Sequence, residues 1–186
     1  MSIVAALDLA TKTGIALGPL GGQPQMWTLD LKSSGEARHH GTRLAKIQGL
    51  AHSLIHEHGV TLIAIEKPFN AAHNSWETTL LTFGLTANVL SWAARKGVAV
   101  ELYSAQTIAK HFVGSGKLKR TEKKAAILAE CRARGWRPAD DNQADAAALW
   151  DLACARRSQT RAATVEISRS TLAKRGGERI VNEVLQ

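Results

Sequence analysis

The sequence contains little cysteine and no long apolar run, and each absence argues against a class of protein. The two cysteines, Cys131 and Cys154, have no CxxC spacing and no nearby pair of histidines, so a metal–thiolate site is not expected. Two buried thiols in a reducing cytoplasm are the prediction instead. No segment is long and apolar enough to span a bilayer, so we expect no membrane partner.

The opening residues do not predict a signal peptide, because Met1–Leu9 contains an acid and lacks a basic start and a longer apolar run. We therefore expect a cytoplasmic protein. The 186 residues fit one domain of ordinary size and leave little room for a second.

Positive charge is what the sequence has in excess, with a formal net charge of +8 and a pI of about 9.9. Such a surface favours a polyanionic partner, and nucleic acid is the first candidate. A basic protein without such a partner is the alternative, and charge alone does not separate the two.

Hydrophobic patterning predicts an α/β domain built on a five-stranded mixed sheet. Three antiparallel strands come first, and helices then alternate with two more strands, which places helices on both faces. The predicted domain covers residues 1–157, and residues 158–186 form a basic, partly ordered tail. The predicted strands are Ile3–Leu9, Gly14–Leu17, Gln25–Leu31, Val60–Ile65 and Val98–Tyr103, and the predicted helices are His39–His58, Ser75–Lys96, Ser104–Phe112, Thr121–Arg134 and Asn142–Arg157.

Three acids occupy positions where the sequence is otherwise apolar. Asp8 lies near the end of the first strand, Glu66 ends the fourth, and Asp145 lies on the core-facing side of the last helix. If the first and fourth strands are parallel neighbours, their ends meet at one edge of the sheet, where open sheets bind ligands. Clustered carboxylates repel one another unless a cation lies among them. The pattern therefore predicts a Mg²⁺ site, which Mn²⁺ also suits, able to support phosphodiester cleavage.

Each acid also has a simpler explanation. Asp8 fits a turn-capping role, Glu66 fits a solvated strand end, and Asp141 and Asp145 suit the dipole of a helix N-terminus. These explanations are independent of one another, so all of them holding at once is the less economical account.

Three stretches of the sequence match the acidic motifs of a known family. Residues 6–14 (ALDLATKTG), 64–69 (AIEKPF) and 140–149 (DDNQADAAAL) resemble those of RuvC-type Holliday junction resolvases, and the last is closest to the phage and prophage branch. The resemblance covers about Ile3 to Arg157. It implies a ribonuclease H-like nuclease domain that forms a homodimer and nicks four-way DNA junctions symmetrically, with Mg²⁺ or Mn²⁺, in a bacterial or phage-infected cell.

The resemblance also implies that Asp8, Glu66 and Asp145 bind the metal, and it leaves a fourth position open. The family places an Asp or His three residues before the last Asp, where this sequence has Asn142. Either Asp141, one residue earlier, or the amide oxygen of Asn142 takes that place. We include Asp141 among the expected catalytic and metal-binding residues.

Two further features resemble DNA contacts of the family. Phe69 follows Glu66 in a loop where the family places an aromatic that stacks on junction bases, and a core phenylalanine is the alternative. Residues 114–124 (GSGKLKRTEKK) resemble its Gly-rich loop before a helix, with Thr121 as the expected N-cap. The alternative is a solvated basic helix start, and either Lys119 or Arg120 matches the region of the family's catalytic lysine. The expected DNA-binding residues are Phe69, Lys117, Lys119, Arg120 and Lys123.

Some residues and functions stay open at this level. His52 and His56 share a helical face without a third ligand, so packed or surface histidines are expected rather than zinc ligands. The sequence does not say which of Trp76, Phe83 and Trp92 lie in the core and which form a dimer face.

Three other functions compete with the nuclease. A sugar-kinase or actin-like ATPase needs two such domains, and this chain holds one. The basic loop and Phe69 argue only weakly against a nuclease of the same fold that acts on RNA or RNA/DNA hybrids. A non-catalytic junction-binding protein follows if Asn142 leaves the metal site incomplete.

Overall fold

The structure is a computed structural model that describes residues 2–32, 40–68 and 75–184, with side chains described as far as residue 164. The strands are β1 (Ile3–Asp8), β2 (Lys12–Pro19), β3 (Gln25–Asp30), β4 (Val60–Glu66) and β5 (Ala99–Tyr103), and the helices are α1 (His40–His56), α2 (Trp76–Arg95), α3 (Ala105–Val113), α4 (Arg120–Ala133) and α5 (Asp141–Val184).

The strands form one mixed sheet in the order β3-β2-β1-β4-β5. β1, β2 and β3 are antiparallel neighbours, whereas β1, β4 and β5 run parallel. Antiparallel pairs need only short connections, whereas β4 and β5 are each reached through a helix, α1 and α2 respectively. This topology confirms the predicted α/β class and the predicted five-stranded mixed sheet.

Helices cover both faces of the sheet. On one face, Leu7 is fully buried in a core cluster with Leu54 of α1 and Leu85 of α2. Successive strand residues point to opposite faces, and Val4 is buried on the other side. There the indole N–H of Trp150, in α5, donates to the backbone oxygen of Val4 at 3.1 Å.

Aromatic and ionic contacts join α3 and the residues that follow α4 to α5. The ring of Trp136 stacks on Phe112 at 5.9 Å and meets Trp150 edge-on at 6.0 Å. The guanidinium of Arg134 lies 4.3 Å from the Phe112 ring and pairs with Asp151 at 2.8 Å. These contacts hold the end of α4, the helix that begins within the basic motif, beside the helix that carries the last acidic motif.

The first helical residues of α4 and α5 each lie one position earlier than predicted. α4 begins at Arg120, and its N-cap is Lys119, two positions before the expected Thr121, because the carboxylate of Glu122 accepts the backbone N–H of Lys119 at 3.1 Å and closes the first turn there. α5 begins at Asp141 rather than Asn142.

The chain divides into two compact units, Met1–Ala153 and Cys154–Gln186, and α5 contributes to both. The expected boundary after Arg157 and the expected role of the following residues as a tail stay predictions. Cys131 and Cys154 are both buried, as expected. Across the three described ranges, no helix combines the length and the apolar character that crossing a membrane requires.

Candidate functional site

Strand pairing brings two of the predicted acids to one edge of the sheet. Leu7 of β1 pairs with Ile65 of β4 in a parallel ladder, so the next residues, Asp8 and Glu66, end neighbouring strands on the same side. Asp145 lies in the second turn of α5, and its charge, like that of Glu66, acts on Asp8. Asp8, Glu66 and Asp145 therefore form one group, which we call the acidic cluster.

The acidic cluster is electrostatically unfavourable without a cation. Burial, followed by the charges of Glu66 and Asp145, raises the pKa of Asp8 to about 7. Burial also raises the pKa of Glu66 and that of Asp145. Raised pKa values of neighbouring carboxyl groups are typical of functional sites.

Two lysines of α4 partly offset this repulsion. Lys123 lowers the pKa of all three acids, and Lys124 lowers that of Asp8 and Asp145. Both lysines are half-buried. Lys123 is among the expected DNA-binding residues, whereas sequence reasoning misses Lys124. Lys124 lies three residues before the buried Ile127, and residues at this spacing share one face of a helix. This spacing is the sequence signal that places Lys124 on the inner side of α4.

Asp141 lies beside the acidic cluster and pairs with Lys124. Its carboxylate forms an ion pair with the Lys124 ammonium, and this hydrogen bond lowers the pKa of Asp141. The Asp141 side chain is 40% exposed, yet its charge still raises the pKa of Asp145. Asp141 is thus a carboxylate close to the cluster whose charged form is favoured by a lysine, whereas burial and neighbouring acids disfavour the charged form of Asp8.

The helix that carries Asp145 approaches the sheet over a glycine. Gly14 of β2 pairs directly with Asp8, and a Cβ added to Gly14 would lie 2.0 Å from the backbone oxygen of Asn142. No side chain fits in that space. Because Gly14 has no side chain, the first turn of α5 can lie against the sheet beside Asp8.

The donors of the acidic cluster suit a hard divalent cation by their chemistry and charge. Within the part of the chain that the structure describes, no three His, Cys, Asp or Glu side chains form a group arranged to hold a metal ion. The cluster nevertheless offers only carboxylate oxygens, which Mg²⁺ and Mn²⁺ prefer. A cation among them would offset the repulsion that raises the pKa of Asp8.

Most of the expected DNA contacts lie at the start of α4 and in the loop before it. Lys117, Lys119 and Arg120 are exposed. Of the two residues matching the catalytic-lysine region, Arg120 is the one whose charge lowers the pKa of Asp145. Phe69 lies outside the described residues, so its expected role in DNA stacking stays a prediction.

The histidine pair of α1 packs against a tryptophan of α2. The rings of His52 and His56 lie 4.5 Å apart, and His52 lies 5.6 Å from the Trp92 ring. These contacts agree with the expectation of surface or partly packed histidines.

Replacing the central acid should stabilise the metal-free protein at alkaline pH. A pKa of about 7 means that folded Asp8 holds a proton that the unfolded chain loses near pH 4. The free energy of unfolding therefore falls as pH rises from about 4 to about 7, and stays low above that range. Asp8→Asn lacks this penalty, so its Tm in EDTA should exceed that of wild type by about 4–8 °C at pH 8, with no difference at pH 4.

This expected gain in Tm corresponds to a gain of about 2 kcal/mol in the free energy of unfolding. The raised pKa of Asp8, converted at about 1.4 kcal/mol per pKa unit, implies about twice that amount. We halve it because Asp8 is only half-buried and solvent screens its charge. Thermal denaturation at both pH values measures it. Equal Tm values for the two proteins at pH 8 would show that Asp8 ionises freely in the folded chain.

The fold is similar to that of solved junction resolvases. Thermus thermophilus RuvC matches with a TM-score of 0.63 and 21% identity over 85% of this chain and 97% of that chain. A structure of T. thermophilus RuvC in complex with Holliday junction substrate matches with a TM-score of 0.61 and 18% identity, over 81% of this chain and 90% of that chain. The yeast mitochondrial Holliday junction resolvase matches with a TM-score of 0.53 and 14% identity, over 80% of this chain and 75% of that chain.

Comparison by sequence finds no matching protein-family model and no matching curated protein. The likeness is therefore one of three-dimensional structure, and it agrees with the fold expected from the acidic motifs. The chain has a RuvC-like, ribonuclease H-like fold.

Proposed function

We propose that the chain is a metal-dependent, structure-selective DNA endonuclease that cuts four-way junctions by symmetric nicking. The observation that carries this proposal is the convergence of Asp8, Glu66 and Asp145, from two strand ends and a helix, in one half-buried cluster at an edge of the sheet. Such a cluster is electrostatically costly, and a divalent cation offsets the cost.

In this proposal the acidic cluster holds Mg²⁺, for which Mn²⁺ substitutes. When bound, the divalent cation supplies Lewis-acid activation of the attacking water and stabilises the charge of the leaving oxygen. Asp8 is the central ligand, because the charges of both other acids act on it. Asp141 fills the fourth position, supported by its charged state and its effect on Asp145, and Lys124 is its partner before the cation binds.

The basic residues of α4 and the loop before it hold the DNA in this proposal. Lys117, Lys119 and Arg120 are exposed and free of acidic neighbours in sequence until Glu122, so they suit phosphate contacts that position a duplex arm. Lys123 lies further inside, where its charge acts on the acidic cluster. Phosphates drawn to the exposed group would therefore lie close to the acids.

Branched DNA is the proposed substrate. The proposed compartment is the cytoplasm of a bacterial or phage-infected cell. Support for the substrate comes from the fold, because one RuvC of similar structure was solved with a Holliday junction substrate. Kinship with the phage and prophage branch rests on the motif at 140–149 alone and stays a prediction.

The proposed enzyme is a homodimer that pairs through α2. This helix exposes Trp76, Leu80, Phe83 and Leu90, with exposed fractions of 72%, 39%, 43% and 37%. Spacings of four, three and seven residues place them along one helical face, as in the seam between two packed helices. A second copy is the occupant proposed for this stripe, because two nicks in one junction need two acidic clusters.

Phe83→Glu is expected to break the dimer by placing a charge in the middle of the α2 stripe. Its dimer Kd, measured by sedimentation velocity, should rise at least about tenfold, as for a residue central to an interface. Leu102→Glu on β5 is the matched control, since Leu102 is 37% exposed and lies off the stripe, and it should dimerise like wild type. A monomeric wild type, or a Phe83→Glu protein that dimerises normally, would contradict this arrangement.

A substrate panel tests the proposed activity directly. Purified protein is incubated with Mg²⁺ or Mn²⁺ and with labelled four-way junction, duplex, flap and RNA/DNA hybrid. We expect paired nicks in the junction and little cutting of duplex. Preferred cutting of the hybrid would move the function to a ribonuclease, and junction binding without any cutting would make the chain a non-catalytic junction-binding protein.

A further inference from the structure

A row of three residues crosses the antiparallel strands beside α5. Asp8 of β1 pairs with Gly14 of β2, and Gly14 pairs with Thr28 of β3. Directly paired residues of neighbouring strands present their side chains on the same face of a sheet. An acid of the cluster, a position without a side chain and a hydroxyl group therefore lie side by side, and we call these residues the strand row.

The start of α5 is fastened to the far end of the strand row. Asp140 precedes the helix, and its Oδ2 accepts a hydrogen bond from Oγ1 of Thr28 at 2.7 Å. Its Oδ1 accepts the backbone N–H of Gln143 at 2.8 Å. One carboxylate thus caps the helix and ties it to β3. The side chain of Gln143 completes the cap, because its Oε1 accepts the backbone N–H of Ala139, just before the helix, at 2.9 Å.

The middle of the strand row determines how closely α5 can approach. The backbone oxygen of Asn142 occupies the space that a side chain on Gly14 would fill. With one contact at Thr28 and another at Gly14, the first turn of α5 is held against two neighbouring strands. Asp145 follows within the next turn, where its charge acts on Asp8 at the near end of the row.

We propose that Thr28 and Asp140 are positioning residues of the metal centre, whose hydrogen bond holds the first turn of α5 where Asp145 can share a cation with Asp8. This inference rests on the proposed function and adds residues from a third strand to it. Both residues act through Asp145 and not on the substrate. A bond that served stability alone would leave metal affinity unchanged, and this difference makes the role testable.

Thr28→Val removes the hydroxyl donor and keeps the shape of the side chain. Mn²⁺ binding to the full chain, measured by calorimetry, should weaken about tenfold, the lower end of the effect of groups that orient metal ligands. Amide hydrogen exchange at Gln143, Ala144 and Asp145 should quicken about three- to tenfold, as for the loss of one hydrogen bond. Thr28→Ser restores the donor and should restore both values.

Thr61→Val is the matched control. Thr61 of β4, like Thr28, donates one hydrogen bond from its hydroxyl group, in this case to the backbone oxygen of Ile3 at 3.1 Å, at the opposite edge of the sheet. It should match wild type in Mn²⁺ affinity and in exchange at the start of α5. Unchanged exchange in Thr28→Val, or faster exchange with unchanged Mn²⁺ affinity, would overturn the inference alone. A wild-type chain that binds no Mn²⁺ would overturn the proposed metal site, and the inference with it.

Discussion

Asp8→Asn is expected to lower junction cutting by about a thousandfold, since the several kcal/mol that a metal centre contributes to the transition state convert at about 1.4 kcal/mol per tenfold in rate. The substitution keeps the size of the side chain and removes the charge at the centre of the acidic cluster. Junction binding should persist, because the exposed basic residues of the α4 region are unchanged. Single-turnover cutting and gel-shift binding measure the two properties separately.

Asp30→Asn is the matched control for this prediction. Asp30 ends β3, is exposed, and accepts the backbone N–H of Lys32 at 2.8 Å, so it contributes a carboxylate at a strand end without belonging to the acidic cluster. Its cutting rate should stay close to that of wild type. An Asp8→Asn protein that cuts as fast as the Asp30→Asn protein would remove the acidic cluster from the reaction and leave the nuclease proposal without its main support.

Gly14→Ala is expected to lower the free energy of unfolding by about 2–3 kcal/mol, the upper part of the range for overpacking a filled site. The new Cβ would lie 2.0 Å from the backbone oxygen of Asn142, and backbone on both sides leaves no flexible side chain to move away. The first turn of α5 must therefore shift outward. Cutting should fall about a hundredfold, since a displacement of about 1 Å in a catalytic group costs that much.

Gly49→Ala provides the comparison for Gly14→Ala. Gly49 lies inside α1, and a Cβ added there would meet nothing within 4 Å. Alanine should stabilise that helix by up to about 1 kcal/mol and leave cutting unchanged. Chemical denaturation and single-turnover cutting of both variants test the pair. A Gly14→Ala protein with wild-type stability and activity would mean that α5 does not depend on its close approach to β2.

The acids of the cluster are predictable from sequence to different degrees. Asp8 and Glu66 each follow an apolar strand, and parallel pairing brings such ends together. Asp145 is predictable from the apolar helix face that it shares. Asp141 is not assignable from sequence, because its ion pair with Lys124 joins residues from two helices. The same limit hides Lys124, whose role depends on how α4 packs.

The strand row shows why the support of a site is harder to predict than its acids. Thr28 and Asp140 are 112 positions apart, and neither interrupts an apolar run in a way that marks it as functional. Gly14 reads as an ordinary strand start in the sequence, and only the backbone packed against it explains the residue. Thr121 is a reasonable N-cap by residue type, but Glu122 accepts the backbone N–H of Lys119, which places the N-cap of α4 two positions earlier.

The proposed cation in the acidic cluster has a consequence for the life of the protein in a cell. If the acidic cluster binds Mg²⁺ only in the folded chain, the ion stabilises the folded state by mass action, by about 2.7 kcal/mol when its concentration is a hundred times its Kd. Free magnesium would then govern how much of the protein escapes unfolding and proteolysis. Abundance of the protein and its activity would rise and fall together with a single ion.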